Sequence, residues 1–343
     1  MVRAIYADRS FQVRDSGRMS DVHAQRFGIL QGCPLSPFLF SILMTVLIRD
    51  AKDKLHEQFG ADRFGALGLG EILYADDTLL MGCDDEVLQA YMQHISDCGA
   101  EYGLSFNGTK LESMVVNCTA DLVNTAGDVI PQKPALKYLG ALLSSEGCDT
   151  SEISRRIGMA RHELDLLKKC WSHTSLSKAR KYDIYRSIVL SKLLYGLESA
   201  TLHAHDKRKL DGFHADCCRK ILRISSSHIS RVSNRYVLMQ LGTTSLTSIL
   251  LKRQLQFFGS IARRAHNDPI RNLLFQPAAY TQAKSVATRK RGRPRLEWNT
   301  VVHNHAIEVA KPRAIASIIC NKVDWHKAVN AYCDRYTCAY VFR

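Results

Sequence analysis

Two adjacent carboxylates, Asp76 and Asp77, sit in the stretch Glu71-Ile72-Leu73-Tyr74-Ala75-Asp76-Asp77-Thr78-Leu79-Leu80-Met81-Gly82. Neighbouring acids repel each other and jointly attract a divalent cation. Hard cations such as Mg²⁺ prefer carboxylate oxygens and are held by only one or two of them together with substrate phosphates. The apolar runs on either side, Ile72-Leu73 and Leu79 to Met81, have strand length. The pair then falls at the tight turn of a β-hairpin, where Asp is common. An ordinary acidic turn and part of a metal site both fit the pair alone, and its neighbours decide between them.

The elements around the pair can be traced from the same pattern. Met1 to Tyr6 reads as the tail of a helix with no N-cap. Ser10 to Val13 and Ala24 to Phe27 read as short strands joined through Asp15-Ser16-Gly17-Arg18. Then comes Phe27-Gly28-Ile29-Leu30-Gln31-Gly32-Cys33-Pro34-Leu35-Ser36-Pro37-Phe38-Leu39-Phe40, in which Gly28 and Gly32 allow close backbone approach. Ser36-Pro37 is a helix start, with Ser at the N-cap and Pro at the first helical position. The helix from Pro37 to about Leu55 is apolar nearly all round at first, through Phe38, Leu39, Phe40, Ile42, Leu43 and Val46, so it is expected to be buried behind a sheet. A Gly-rich connector, 60–70, leads to the acidic hairpin. Asp84-Asp85-Glu86 starts another helix, running to about Tyr102, where acids complement the helix dipole. Ser113 to Asn117 and Ala135 to Leu143 supply the remaining expected strands.

Composition narrows the class. A 343-residue chain, 46% apolar and 23% charged, matches a soluble globular protein of one or two domains. Its longest apolar stretch, near Phe38 to Ile48, is too short to span a bilayer. Met1 to Ser10 carries Arg3, Asp8 and Arg9 and shows no secretory core. Eleven cysteines with no C-x-x-C pair read as reduced thiols. Charge divides sharply: 1–150 holds 12 Lys and Arg against 20 Asp and Glu, and 151–343 holds 35 against 13. The net +14 is therefore −8 followed by +22, and a basic region of that size is the footprint of a phosphate-rich partner. In it, Ser151 to Trp171, Lys178 to Glu198, Asp206 to Ile224 and Ser245 to Arg264 show helical apolar spacing with Lys and Arg interleaved.

Gln31-Gly32-Cys33-Pro34-Leu35-Ser36-Pro37-x-Leu39-Phe40, followed about forty residues later by Tyr74-Ala75-Asp76-Asp77, resembles reverse transcriptases, in wording those of non-LTR (LINE-type) retrotransposons. Asn107-Gly108-Thr109-Lys110 is similar to the family's Asn-x-x-Lys motif, and Lys137-Tyr138-Leu139-Gly140 to its strand leading into the thumb. Leu194-Tyr195-Gly196-Leu197-Glu198 and Gly292-Arg293-Pro294 with Trp298 look like the region downstream of the polymerase. The resemblance implies RNA-directed DNA polymerisation on two Mg²⁺ ions, with template RNA, primer DNA and deoxynucleoside triphosphates as partners and no membrane. Asp76 and Asp77 would be metal ligands, Tyr74 would pack beside the primer terminus, Gln31 and Gly32 would face the nascent base pair, and Lys110 would act as general acid on the leaving pyrophosphate. It also implies a further metal-binding Asp on an earlier strand, and Asp8, Asp15 and Asp21 lack that context. The chain is accordingly expected to be an N-terminally truncated fragment, inactive alone and encoding no endonuclease. The alternative is a non-catalytic nucleic-acid-binding remnant of such an element.

The expected class is α+β: a partial polymerase palm over 1–150, an antiparallel sheet with helices behind it, then thumb-like helices over 151–200. A basic helical extension over 201–288, a basic linker over 289–297 and a small helical region over 298–343 complete the division. Arg155, Arg156, Arg161, Lys168 and Lys169 are the candidates for tracking a nucleic-acid backbone. Arg289, Lys290, Arg291, Arg293 and Arg295 flank Gly292 and Pro294, and three readings stay open: an AT-hook core, a nuclear-import patch that would place the protein in the nucleus, or a plain linker. His303, His305, Cys320, His326, Cys333 and Cys338 invite a zinc reading, but their spacings match none of the usual patterns.

Overall fold

The computed structural model describes residues 2–25, 28–66, 70–147, 149–283 and 296–340, without the side chains of 61–66 and 336–340. The chain divides into two compact units, Met1–Leu136 and Lys137–Arg343.

Unit one opens with α1 (Val2–Tyr6) and two nested hairpins, β1 (Ser10–Phe11) on β4 (His23–Ala24) and β2 (Arg14–Asp15) on β3 (Arg18–Met19). The inner turn puts Ser16 and Gly17 both at positive φ, as a tight two-residue loop requires. The sequence suggested one hairpin here. Ser20 splits it in two, because its hydroxyl accepts the Val13 N–H at 2.9 Å.

α2 (Ser36–Ala66) and α3 (Asp85–Glu101) form the core of this unit. Leu47, Ile48, Ala51 and Leu55 on α2 meet Val87, Tyr91, Ile95 and Cys98 on α3, each set lying on one helical face. Asp84 caps α3 by accepting the Val87 N–H. Past its end Gly103 turns the chain at positive φ, and Leu104 and Phe106 fold back onto the core. Gly60, with non-helical angles, breaks α2 inside what the sequence suggested was a connector. The hairpin β5 (Gly70–Tyr74) and β6 (Asp77–Met81) lays Leu73 and Leu80 on the helix pair.

The first turns of α2 do not behave as expected. Phe38 and Ile42 are 69% and 62% exposed, since a two-stranded hairpin is too narrow to cover them as well as the helix pair. Ser113 to Asn117 is not a strand either; Ser113 makes a single bridge to Gln132.

The boundary at Lys137 falls inside β7 (Ala135–Tyr138), which forms a hairpin with β8 (Ala141–Ser144). The sequence grouped that hairpin with the first 150 residues, but Arg155 and Arg156 both donate to Gly140 O at 2.7 Å and the Tyr195 hydroxyl donates to Leu139 O. These bonds tie its turn to the helices that follow. α4 (Thr150–Leu166) and α5 (Lys168–Ser172) divide at Leu167, and α6 (Lys178–Ile184) runs through a π-helical stretch, Tyr185–Leu190, into α7 (Ser191–Leu194). Then come α8 (Ala204–Leu222), α9 (Ser227–Ser230), α10 (Asn234–Gln240), α11 (Leu246–Ala262), α12 (Pro269–Leu274), α13 (Trp298–Ala310), α14 (Ile315–Ile319) and α15 (Lys322–Tyr340). Helix α11 walls two cores. Leu246 and Leu250 join Ile153, Tyr185, Leu193 and Leu210, while Leu255 and Phe258 join Phe275, Val302 and Trp325. The whole is α+β, mostly helical with small antiparallel sheets. Among the described residues no helix is long and apolar enough to cross a membrane.

Candidate active site and nucleic-acid interface

Tyr74 pairs with Asp77, so the hairpin closes through only Ala75 and Asp76. Ala75 takes φ 52°, a conformation that costs a residue with a Cβ about 1 kcal/mol. Cross-strand partners share a face. Leu73 with Thr78, and Glu71 with Leu80, therefore lie on the helix side, and Tyr74 with Asp77 on the opposite side. Tyr74 is 63% exposed, and both carboxylates are exposed. Asp76 lines a cleft of about 130 Å³ whose walls include Phe40, Met44, Thr78, Ser105 and Phe106. The two acids thus look out from opposite sides of one turn.

A polar contact set anchors the hairpin to both helices. Lys52 of α2 pairs with the Glu71 carboxylate at 2.5 Å, and the Tyr91 hydroxyl of α3 donates to it at 3.4 Å. Burial first, and then the Glu71 charge, push the Tyr91 phenol far up, so it stays a donor. These three residues were not picked out from sequence. The available signal was an acid at Glu71 in register with Leu73 on the apolar face of a strand.

Gln31 and Gly32 form an exposed turn, with Gly32 at φ 84°. Ser36, expected to cap α2, instead donates its hydroxyl to Leu30 O at 2.6 Å and meets the Tyr6 hydroxyl at 3.2 Å, which ties this turn down. Lys110 ends a 3₁₀ turn set by Asn107, whose side chain accepts from the Thr109 N–H and hydroxyl. That segment continues from Ser105 and Phe106 in the Asp76 cleft. Among the described residues no hydrogen bond links Gln31 or Gly32 to the acidic hairpin.

Arg156 does not face a partner. It is 3% exposed, and both Arg155 and Arg156 clamp the Glu152 carboxylate, at 2.6 and 2.7 Å. Burial would raise Glu152, but the hydrogen bonds from the two guanidinium groups outweigh it and hold the carboxyl below its ordinary value. Phosphate tracking by Arg156 is corrected to a structural clamp on the β7–β8 turn, with Arg155 half committed to it. Arg161, Lys168 and Lys169 are exposed. Lys168 shares an open groove with Lys220 and Arg223, two cations the sequence reading passed over although they sit together at the basic end of α8. Arg289, Lys290, Arg291, Arg293 and Arg295 lie outside the described residues.

Four of the six C-terminal His and Cys candidates have other partners, and the Cys338 side chain lies outside those described. His303 bonds Tyr280 O, His305 bonds the Tyr332 hydroxyl, Cys320 meets the Tyr280 hydroxyl and Cys333 is core. Among the described residues no group of three or more metal-ligating side chains forms.

Comparison with known proteins bears on the hairpin directly. The family model described as Reverse transcriptase (RNA-dependent DNA polymerase) matches residues 2–143. Residues 2–143 are thus similar to the reverse transcriptase family. The match takes in the Gln31-Gly32 turn, the Asp76-Asp77 hairpin and Lys110. Beyond it, the chain is similar to a retrovirus-related Pol polyprotein from the type-1 retrotransposable element R2 of Popillia japonica, 23% identical over 296 residues, 82% of this chain and 39% of that protein. It is similar also to the RNA-directed DNA polymerase from the mobile element jockey of Drosophila funebris, 24% identical over 242 residues, 64% of this chain and 24% of that protein. An R2 polyprotein of Nasonia vitripennis is 33% identical over 89 residues, 26% of this chain and 8% of that protein. The resemblance to LINE-type reverse transcriptases thus extends past the matched family segment. The chain spans about two-fifths or less of the length of the curated relatives it matches. Reverse transcriptases use divalent metal ions, a nucleic-acid template and deoxynucleoside triphosphates.

Proposed function

We propose that the chain serves RNA-directed DNA synthesis in a LINE-type element, with unit one as the part of the palm that presents Asp76 and Asp77 and the helices over 151–200 as thumb. The observation that carries this is a tight hairpin with exposed carboxylates at its turn residue Asp76 and at Asp77, the first residue of β6, inside the segment that the reverse transcriptase model matches. Each exposed carboxylate can contribute oxygen to a hard divalent cation, and Mg²⁺ needs only one or two carboxylates when phosphates complete its shell. Two bound ions would stabilise the attacking and leaving oxygens of the displacement.

The remaining work falls to the chain itself. Tyr74, on the same face as Asp77, packs beside the primer terminus. Gln31 and Gly32 face the nascent base pair, and Lys110 gives a proton to the leaving pyrophosphate. Arg161, Lys168 and Lys169, with Lys220 and Arg223, follow backbone phosphates without reading sequence. The basic run Arg289 to Arg295 directs the protein to the nucleus. Two carboxylates on opposite sides of one turn are a partial ligand set, so residues 1–343 alone are expected not to extend a primer.

The test uses the 343-residue chain, an RNA template annealed to a DNA primer, and Mn²⁺ followed by electron paramagnetic resonance. The expected outcome is salt-dependent binding of template–primer, weak Mn²⁺ binding that Asp76→Asn with Asp77→Asn removes, and no extension. Template-dependent extension would overturn the partial site, Mn²⁺ binding that survives both substitutions would overturn the ligand assignment, and absent or salt-insensitive binding would overturn the nucleic-acid role.

A further inference from the structure

In unit two, α8, α11 and the start of α13 surround a cavity of about 550 Å³ that polymerisation does not use. Its size lies within the range of small-molecule sites. The walls are largely apolar, from Leu251, Leu296, Val301 and Val302, with Trp298 among them. Trp298 is fixed, since its indole N–H donates to Glu198 O at 2.9 Å and its ring meets the Phe257 ring edge-on.

The polar groups of the cavity sort by what they already do. The Asp211 carboxylate accepts the Thr247 N–H and hydroxyl at 2.9 and 2.8 Å, although burial outweighs these bonds and pushes its pKa up. Gln254, 5% exposed, donates its amide nitrogen to Ala200 O at 2.9 Å, which orients the amide and leaves its oxygen as an acceptor on the cavity wall. Lys207 is half-buried and Arg208 exposed at the same cavity. A ligand suited to this arrangement has a flat apolar body, an edge carrying an N–H donor, and an anionic end.

We propose that this cavity takes one unpaired nucleotide of a single-stranded nucleic acid, its base packed among Trp298, Leu251 and Val301, its N–H edge on the Gln254 oxygen, and its phosphate at Lys207 and Arg208. Every base carries an N–H on its pairing edge, and a duplex occupies that edge, so the site discriminates against paired strands. The +22 balance of residues 151–343 supplies the long-range attraction that brings a polyanion to it. The site lies in unit two and does not depend on the acidic hairpin.

Fluorescence anisotropy on the 343-residue chain tests it, with a labelled ten-nucleotide RNA or DNA strand, the same backbone made abasic, and the corresponding duplex. Intact single strands are expected to bind about tenfold tighter than abasic ones, the order of one stacked base. Ala204→Phe at the exposed mouth removes that tenfold and leaves abasic binding unchanged, and Val301→Phe does the same from the opposite wall. Lys207→Gln weakens both strands alike and lowers the slope of log affinity against log salt by about 0.7. The RNA and DNA arms show which strand the cavity takes. Equal binding of intact and abasic strands, or discrimination that survives both plugging substitutions, overturns the proposal.

Discussion

The two units hold their shapes by different means. In unit two, bulky side chains such as Tyr185, Leu193, Phe258, Phe275 and Trp325 are fully buried in two cores that share α11. Among the described residues of unit one a single small core joins α2 and α3, while Phe38, Ile42, Val46, Ile72 and Tyr74 remain exposed and each sheet has two strands. The candidate chemistry sits in the thinly packed unit, where a Lys–Glu–Tyr contact set does part of the positioning that packing does elsewhere. If that contrast is right, unit two should be brittle to small changes of volume and unit one should be sensitive to loss of polar contacts.

The sharpest way to break the contrast is a pair of single methyl groups. A Cβ on Gly259 would stand 2.2 Å from the Trp325 indole nitrogen, and the indole cannot retreat because its N–H is bonded to Leu255 O. Gly259→Ala is expected to destabilise by about 3 kcal/mol in chemical denaturation, at the upper end of overpacking penalties. In unit one, a Cβ on Gly99 meets Leu104 O at 3.2 Å, and the helical preference for Ala, about 1 kcal/mol, offsets that crowding. Gly99→Ala should therefore leave stability nearly unchanged. Equal penalties at the two sites would remove the contrast in packing.

Much of this arrangement was legible in the chain, and its failures have a common cause. The hairpin around Asp76 and Asp77 was readable because strand-length runs and a turn are local signals, and the long helices because a 3.6-residue period is local too. Arg156 was misread because helical spacing shows which residues share a face but not which face turns inward; the spacing already offered Glu152 four residues before it, and only the fold adds Gly140 O and buries the guanidinium. The same blindness hid Lys220 and Arg223, which join Lys168 only when α8 packs near α5. The exposure of Phe38 and Ile42 was unreadable for a related reason, since an apolar helix face announces a need for cover but not the width of the sheet available to cover it.

A smaller effect tests unit two through pH. His214 is buried, with Nδ1 2.8 Å from the Tyr185 hydroxyl, and burial lowers its pKa from the ordinary 6.5 to about 4. A base whose pKa is depressed on folding binds its proton more readily in the unfolded chain, so stability falls as pH drops from about 6.5 towards 4. Between pH 7 and pH 5 this amounts to about 2 kcal/mol. Urea titrations of the native chain and of His214→Gln, compared at the two pH values, isolate the term from other titrating groups. A pH dependence of the same size in both proteins would show that this histidine does not carry it.

The smallest expected change bears most directly on the candidate site. Glu71→Ala removes the acceptor of both Lys52 and the buried Tyr91 hydroxyl. Lys52 is partly solvated, so its share is small, and the cost is mainly that of a buried hydroxyl left without its acceptor, about 1 kcal/mol in all. Globally that is slight, but it is localised where β5 and β6 meet the helices, and hydrogen exchange of the Ile72, Leu73 and Leu80 amides should accelerate by about fivefold while the amides of α11 do not change. Lys52→Met, which keeps Tyr91 bonded to Glu71, should have less effect than Glu71→Ala. If neither substitution changes hairpin exchange, then Leu73 and Leu80 alone hold the hairpin, and the acids at its turn are positioned by packing in unit one as side chains are in unit two.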